Sequence, residues 1–356
     1  MERKADAAAH GFTLAEPPRF AALRAFCAVS EGADVVMPVS PIPSAVCDSA
    51  KCIAAVLGDA QRRLGIFGAR EGMPWSLGSV FGCLVARFVS GLCGMKGRVI
   101  ETPGVRSQHN GIAVSRDGAT LLVSDTNGGT HRLHVFNVHT GARLRTIGSW
   151  GTGPLQFRCP RQVWVASDDY VFVADEGNDR IQILTPVAFD FYAFVGVGQL
   201  GMPRGVCADG DIIAVSELCP YRISVFSRCD GALLRRFGSK GSGDGQLYSP
   251  GGLCFLTENR LIAVADCVND RISVFSVEGE FVRHVGVGEL CFPMGVACSA
   301  FDELVVVDVW YERVAVFSAS GEVLHTMGRS IFTGVAVHSG AIFAQTDRDD
   351  KCVVYM

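Results

Sequence analysis

Arg271-Ile272-Ser273-Val274-Phe275 gives the main indication of the fold, because its pattern of a basic residue followed by mainly apolar residues recurs along the chain. Four copies are close, Arg132-Leu133-His134-Val135-Phe136, Arg180-Ile181-Gln182-Ile183-Leu184, Arg222-Ile223-Ser224-Val225-Phe226 and Arg313-Val314-Ala315-Val316-Phe317, and a weaker one is Lys351-Cys352-Val353-Val354-Tyr355. The ends of successive copies are 48, 42, 49, 42 and 38 positions apart. Such a period predicts six similar structural units between residue 111 and the C-terminus.

Each unit reads as four short strands. In the third copy they are Gly205–Asp209, Asp211–Glu217, Arg222–Ser227 and Leu233–Gly238, rich in Val, Ile and Phe and bounded by turn residues. No helical period separates them. The second strands are apolar nearly throughout, which indicates burial on both faces, whereas a two-layer sandwich would alternate apolar and polar residues. We therefore predict an all-β, six-bladed β-propeller of four-stranded antiparallel blades.

The sixth copy, Gly334–Met356, stops after its third strand and would leave an unpaired edge. Residues Lys96–Glu101 stand about as far before Gly111 as a fourth strand stands before the next unit. We predict that this N-terminal strand completes the last blade, and the next candidate is Cys83–Gly91. The predicted domains are an N-terminal extension over residues 1–95, partly helical or disordered, and a propeller over residues 96–356.

The glycine-rich segment Gly238–Leu247, with Ala265-Asp266 and Asn269-Asp270-Arg271-Ile272, closely resembles NHL repeats. The resemblance covers roughly residues 96–356, and the first, third and sixth copies depart from it. It implies an NHL-type propeller that works as a binding platform. Ubiquitin ligases with NHL domains carry an N-terminal RING, and residues 1–95 do not have the ligands of one.

Composition limits the partners and the compartment. The chain of 356 residues has 32 basic and 36 acidic residues, a net charge of −4, which gives no general attraction for DNA or anionic membranes. The most apolar stretch, Trp75–Met95, is interrupted by Arg87 and four glycines, so membrane insertion is not expected. The 14 cysteines form no Cys-x-x-Cys pair. We expect reduced core thiols, such as those of Cys207, Cys254 and Cys298, and a cytoplasmic location.

An acid and a basic residue keep a fixed spacing within most units. Asp175 and Arg180, Glu217 and Arg222, Asp266 and Arg271, and Asp308 and Arg313 are five apart; Asp125 and Arg132 are seven apart, and the sixth unit has Thr346 and Lys351. A ring of ligand groups is one interpretation. We favour a structural one, in which the acid ending strand two holds the arginine opening strand three. The glycine-rich segment at Gly238 lacks the Gly-Lys-Ser/Thr ending of a phosphate loop and reads as a connection between blades.

Enzymatic relatives of NHL propellers include an amidating lyase with zinc-binding histidines and sugar lactonases with calcium-binding acids. Here only His109 stands near a channel mouth, no Gly-x-Ser-x-Gly elbow is present, and the first strands are mainly apolar. We therefore predict no catalytic residue, metal or cofactor. A lyase or hydrolase acting in the central channel stays open as an alternative.

In a propeller, the connections between blades and the loops after strand two emerge on one face. This places eight candidate partner-binding residues there: Arg161, Arg204, Trp150, Tyr221, Trp310, Tyr311, Asn110 and Lys240. Aromatic and arginine side chains are common interface anchors, so we predict a monomeric scaffold that binds a protein partner. RNA is the alternative partner on this face, but residues 96–356 carry 23 basic and 28 acidic residues. The opposite face collects acids that read as solvated turn residues: Asp117, Asp168, Asp169, Asp209, Asp211, Glu258, Asp302 and Glu303.

Overall fold

The computed structural model describes residues 97–105, 111–126, 129–256, 260–347 and 350–356. These residues form six four-stranded antiparallel sheets, as the repeat predicts. The predicted extension over residues 1–95, the apolar stretch Trp75–Met95 and the alternative closing strand Cys83–Gly91 lie outside the described residues.

The strands follow one another blade by blade. Blade 1 contains β2 (Ile112–Val114), β3 (Thr120–Asp125), β4 (Arg132–Asn137) and β5 (Arg143–Ile147). Blade 2 contains β8 (Pro160–Val165), β9 (Val171–Asp175), β10 (Arg180–Leu184) and β11 (Phe191–Val195). Blade 3 contains β12 (Pro203–Asp209), β13 (Ile212–Glu217), β14 (Arg222–Ser227) and β15 (Leu233–Phe237). Blade 4 contains β16 (Pro250–Leu256), β17 (Leu261–Asp266), β18 (Arg271–Ser276) and β19 (Phe281–Val285). Blade 5 contains β20 (Pro293–Cys298), β21 (Leu304–Asp308), β22 (Arg313–Phe317) and β23 (Val323–Met327). Blade 6 contains β24 (Phe332–His338), β25 (Ala341–Thr346), β26 (Lys351–Tyr355) and β1 (Arg98–Glu101).

Smaller elements lie in the loops. A parallel pair of two-residue strands, β6 (Ser149–Trp150) and β7 (Gln156–Phe157), shapes the connection from blade 1 to blade 2. Single 3-10 turns, Glu176–Asn178 and Cys267–Asn269, follow the second strands of blades 2 and 4.

The core lies between blades rather than within one layer. Second strands such as β9 and β13 are buried along their whole length. Six clusters of buried side chains each combine residues of two consecutive blades, and the cluster with Ile100 and Ile112 joins blade 6 to blade 1. Each fully buried Leu, Ile or Phe contributes roughly 1.5–3 kcal/mol. A blade alone would expose both of its apolar faces, so the closed ring is the stable unit.

The closing strand is β1, as predicted from Lys96–Glu101. It pairs antiparallel with β26 in the register Ile100 to Cys352 and Val99 to Val353. The side chain of Ile100 is 1% exposed, whereas that of its neighbour Val99 is 47% exposed. The alternation of a strand thus turns one side chain of β1 into the core and the next to solvent.

An arginine hydrogen bond joins neighbouring blades at the outer rim, and sequence reasoning missed it. In four blades the outermost strand carries an arginine opposite the fourth residue of the strand-three motif. Each guanidinium donates to a backbone carbonyl in the turn between strands three and four of the next blade. The donors and acceptors are Arg145 and Ala188, Arg235 and Val277, Arg283 and Ala319, and Arg98 and His139. Arg98 lies in the closing strand, so the contact between blades 6 and 1 has the same arginine hydrogen bond as three other contacts between blades.

Candidate functional site

The antiparallel order of the blades fixes which loops share a face. The innermost strand of each blade runs away from the connection that leads into the blade, and the second strand runs back. The loop after the second strand therefore lies beside that connection. We call this side, with the inter-blade connections and the strand 2–3 loops, the loop face. The other side, with the tighter turns, is the turn face.

The predicted acid–arginine pairs form at the edge of the loop face. The Nε atom of the arginine lies within hydrogen-bonding distance of the carboxylate in four blades: Arg180 to Asp175 at 2.9 Å, Arg222 to Glu217 at 2.7 Å, Arg271 to Asp266 at 2.9 Å and Arg313 to Asp308 at 2.8 Å. In blade 1, Arg132 and Asp125 are 3.6 Å apart. In blade 6 the Thr346 hydroxyl replaces the acid and donates to the Lys351 carbonyl at 2.9 Å. These contacts support the structural interpretation.

Each of these acids also anchors the incoming connection. Backbone N–H groups donate to them at 2.7–3.0 Å: Arg158 to Asp175, Gly201 to Glu217, Tyr248 to Asp266 and Cys291 to Asp308. The carboxylate therefore binds strand three and the connection to its own blade at once. The loops of this face are held on a rigid frame, which is what a binding surface needs.

The two long connections have the same internal bracing. In blade 4, the Asn269 side-chain amide donates to Gly241 O and to Asp266 Oδ2, at 2.9 and 2.8 Å. The Gln246 side chain folds back to accept from the Gly243 N–H at 2.9 Å. Gly241 has a φ of 157°, and a Cβ there would lie 2.2 Å from Gln246 Oε1, so glycine is required. The segment is a structural connection, as predicted.

Arg161 and Arg204 meet at the mouth of the central channel, where both contact Glu176. The Nε of Arg161 lies 2.5 Å from Glu176 Oε2, and the Nε of Arg204 lies 3.2 Å from Oε1. Arg204 also donates from Nη1 to Ser249 Oγ at 3.2 Å. Glu176 is 4% exposed, while the two arginine side chains are 16% and 21% exposed. Two guanidinium groups sharing one carboxylate leave one positive charge in excess.

Beside this mouth, Gln162 links the first strands of blades 2, 3 and 4. Its side-chain amide donates to Leu253 O at 2.8 Å, and its oxygen accepts from the N–H groups of Leu253 and Val206 at 3.0 and 3.2 Å. The cavity at the mouth has a volume of about 50 Å³, room for a few water molecules or one small group. Gln162 could have been found from the sequence, because it replaces the glycine of the other five first strands: Gly111, Gly205, Gly252, Gly295 and Gly334.

The aromatic candidates lie on the loop face in separate groups. Tyr221 packs edge-on against Tyr248, with ring centroids 5.6 Å apart, and the Lys240 ammonium lies 5.4 and 5.1 Å from the two centroids. Sequence reasoning missed Tyr248, although it directly precedes the fourth unit.

Two further groups lie at other blades. The Arg158 guanidinium stacks over Trp150 at 4.7 Å, and Trp310 lies 6.2 Å from Phe292. The Arg313 guanidinium lies over Tyr311 at 4.9 Å. Asn110 lies outside the described residues.

On the turn face, acids have local partners. Ser115 donates to Asp117 at 2.5 Å, and this bond, with one from the Ala119 N–H, lowers the pKa of Asp117. Arg228 binds both oxygens of Asp168 at 2.5 Å. Glu258 lies outside the described residues. Turn stabilisation accounts for Asp117, in line with the sequence interpretation, whereas Asp168 forms an ion pair with the neighbouring blade.

The thiols and the metal-binding residue types give no second site. Burial raises the pKa of the Cys207 and Cys254 thiols, which are core groups as predicted, while Cys298 is half-buried. Among the described residues, no three His, Cys, Asp or Glu side chains converge as a metal site would need. Within the same residues, no helix has the length and apolar character needed to span a bilayer.

Comparison with known proteins gives two relatives in sequence, and no protein-family model matches the chain. The chain is 32% identical over 136 residues to Protein brain tumor of Drosophila melanogaster, covering 37% of this chain and 13% of that protein. It is 44% identical over 57 residues to RING finger protein nhl-1 of Caenorhabditis elegans, covering 16% of this chain and 6% of that protein. The matched parts are thus a small fraction of either relative.

Solved structures share the fold. A streptogramin B lyase superimposes with a TM-score of 0.53 at 14% identity, covering 74% of this chain and 87% of the other. U3-55K superimposes with a TM-score of 0.54 at 13% identity, covering 70% and 77%. At such identity the likeness concerns architecture alone. The described strands within residues 97–356 form a six-bladed β-propeller, and its repeated motif together with the two sequence relatives is consistent with an NHL-repeat propeller.

Proposed function

We propose that this propeller is a non-enzymatic scaffold that binds a protein partner on its loop face. The observation that carries the proposal is the uneven distribution of exposed apolar side chains. Eight of the large ones lie in the loops of the loop face: Trp150, Val197, Met202, Tyr248, Val268, Val287, Trp310 and Tyr311. Among the described residues only Val187 and Phe301 lie in the turns of the turn face, and Met356 lies at the same side, after the end of β26.

The exposed apolar side chains of the loop face would gain free energy by being buried against a partner. Trp310 is 71% exposed and Trp150 56% exposed, and each would bury a large apolar area against a partner. Exposed apolar groups that collect on one side of a protein mark an interaction surface, whereas scattered ones do not. Six further exposed apolar side chains lie on the outermost strands, one in each blade. They are spread evenly around the ring and therefore favour neither face.

Arginines with fixed positions supply the polar part of such an interface. Arg161 and Arg204 are oriented by Glu176, so ordering them on binding costs less side-chain entropy than ordering free arginines. Tyr221 and Lys240 are held with Tyr248 in the same way. Rigid aromatic and arginine anchors are what interface hot spots are made of.

The test is affinity purification of the tagged full chain followed by mass spectrometry. We expect Arg161→Ala/Arg204→Ala/Trp310→Ala to lose the proteins captured by the wild type. Phe301→Ala is the matched control, because Phe301 is 61% exposed but lies on the turn face. Capture of the same proteins by the triple variant and the wild type, at equal melting temperature, would reject the loop face as the binding surface.

RNA is the other partner that this face could bind. The net charge of −5 over residues 96–356 opposes a polyanion, so we expect single-stranded RNA to bind weakly and with little dependence on salt. A steep salt dependence with submicromolar affinity would favour RNA instead. The cytoplasmic location and the monomeric state belong to the same proposal and are tested by imaging of the tagged chain and by light scattering.

A further inference from the structure

The channel mouth has a feature that the apolar surface does not explain. Arg161 and Arg204 come from adjacent blades and share the single carboxylate of Glu176, which leaves one uncompensated positive charge. A guanidinium has five N–H donors. Arg161 uses Nε and Nη2 on Glu176, and Arg204 uses Nε on Glu176 and Nη1 on Ser249. Arg161 Nη1 and Arg204 Nη2 make no hydrogen bond within the described part of the chain.

These two arginines line the small cavity at the channel mouth. Gly251, Met294, Gly295 and Val335 are among the other residues that line it. Its volume of about 50 Å³ suits a carboxylate with one or two methylene groups.

We propose that this mouth binds the carboxylate of an acidic side chain from a peptide segment of the partner, an inference that rests on the proposed function. The guanidinium plane matches a carboxylate through paired N–H donors, and the charge is desolvated enough for such bonds to be strong. The overall charge of −5 repels a polyanion at long range, whereas one carboxylate gains mainly from contacts within the mouth.

Glu176 has a defined part in this site. It holds both arginines from below and neutralises one of them, so the site carries one net charge rather than two. The arrangement predicts that removing the charge of Glu176 raises the affinity for a carboxylate. If Glu176 served only to hold the two arginines in place, the same change would lower the affinity for a carboxylate, because the arginines would no longer be oriented.

The test uses the tagged full chain on an array of nine-residue peptides with random flanks and a central Glu, Gln or Lys. We expect the wild type to retain the Glu series about tenfold more than the Gln series, equal to ~1.4 kcal/mol. Arg161→Met/Arg204→Met should bring this ratio to about one, because the anchor then contributes nothing. Glu176→Gln should raise it above the wild-type ratio. Arg228→Met is the matched control, since it removes an arginine of the same 16% exposure that lies on the turn face, paired with Asp168.

If the double variant does not fold, Arg204→Met alone carries the test, because it leaves Arg161 paired with Glu176 and the mouth neutral. Equal retention of the Glu and Gln series by the wild type would overturn the proposal. So would an unchanged ratio in the folded arginine variants, or retention of an eight-nucleotide single-stranded RNA that depends on both arginines without any preference for Glu.

The proposal and the proposed function fail in different ways. If the array shows no Glu preference while Trp310→Ala still abolishes partner capture, the carboxylate site is rejected and the loop face stands. If every loop-face variant captures the same partners as the wild type, the proposed function is rejected.

Discussion

Replacing Arg271 by alanine should lower the free energy of unfolding by about 3 kcal/mol. Its side chain is 9% exposed and lies 2.9 Å from Asp266, which is fully buried. Breaking a buried ion pair costs about 3–5 kcal/mol because a carboxylate loses its countercharge. Asp266 keeps three neutral donors, from Tyr248, Asn269 and Ser273, so we expect the lower end of that range.

The repeat supplies a graded series for this measurement. Arg313 makes the same contact at 2.8 Å but is 24% exposed, and Arg132 is 37% exposed and 3.6 Å from its acid. Since solvent screens the exposed pairs, we expect about 2 kcal/mol for Arg313→Ala and below about 1 kcal/mol for Arg132→Ala. Urea unfolding followed by tryptophan fluorescence, with the midpoint and slope fitted separately, measures all three.

Two results would refute this reasoning. One is an equal loss in all three variants, which would make exposure irrelevant. The other is a loss below about 1 kcal/mol for Arg271→Ala, which would mean that Asp266 is not stranded. The double variant Asp266→Asn/Arg271→Ala separates the causes: part of the stability should return, because the buried charge is gone and the backbone donor still finds an oxygen.

Four further perturbations test the closing strand, the N-terminal extension, the channel and one histidine. Ile100→Ala should cost about 2–5 kcal/mol in urea unfolding and expose β26 to limited proteolysis, whereas Val99→Ala should stay within about 0.5 kcal/mol; equal effects would contradict closure by β1. A chain beginning at Lys96 should keep the wild-type melting temperature of the propeller. Gly111→Ala should cost about 3 kcal/mol or more, because its Cβ would lie 2.3 Å from Arg161 O, while Gly295→Ala, with its nearest contact at 3.7 Å, should cost less than about 1 kcal/mol. Burial lowers the pKa of His131, whose Nδ1 accepts from the Cys159 N–H, so the unfolded chain takes up the proton first and stability should fall as the pH drops below 6.5, the ordinary pKa of histidine. His131→Gln should flatten the dependence of the melting temperature on pH between pH 7.5 and 5.5, and an unchanged slope would contradict this.

The fold could be predicted from the sequence because its determinants are local and recur. Asp266 and Arg271 are five apart, and in the hairpin of β17 and β18 they are register partners, so their spacing encodes their contact. The closing strand was predictable because an incomplete sixth unit requires a partner, and residues upstream of the first unit stand at the right distance.

The chemistry of the channel mouth could be predicted only in part. The sequence places Arg161 and Arg204 beside the channel, but their common partner Glu176 belongs to a loop, and nothing in the spacing says that one acid serves two blades. Gln162 reaches Leu253, 91 residues further along the chain. Contacts across the axis depend on how six blades meet, and the period of one repeat does not encode this.

The positions where the repeat is broken at the axis are therefore the informative ones. Five first strands have glycine at the channel, and at Gly111 and Gly205 a Cβ would lie 2.3 and 2.7 Å from backbone oxygen atoms of the next blade. Gln162 is not required by that packing, and its three hydrogen bonds link the first strands of blades 2, 3 and 4 instead. One position earlier, Arg161 and Arg204 stand where other blades have Gly251, Met294 or Thr333, so ring closure does not require arginine either. The fold does not require an acid or arginines at these positions, and burying their charges costs folding free energy, which binding a carboxylate would offset. We therefore expect Arg204→Met to lower the free energy of unfolding far less than Arg271→Ala does.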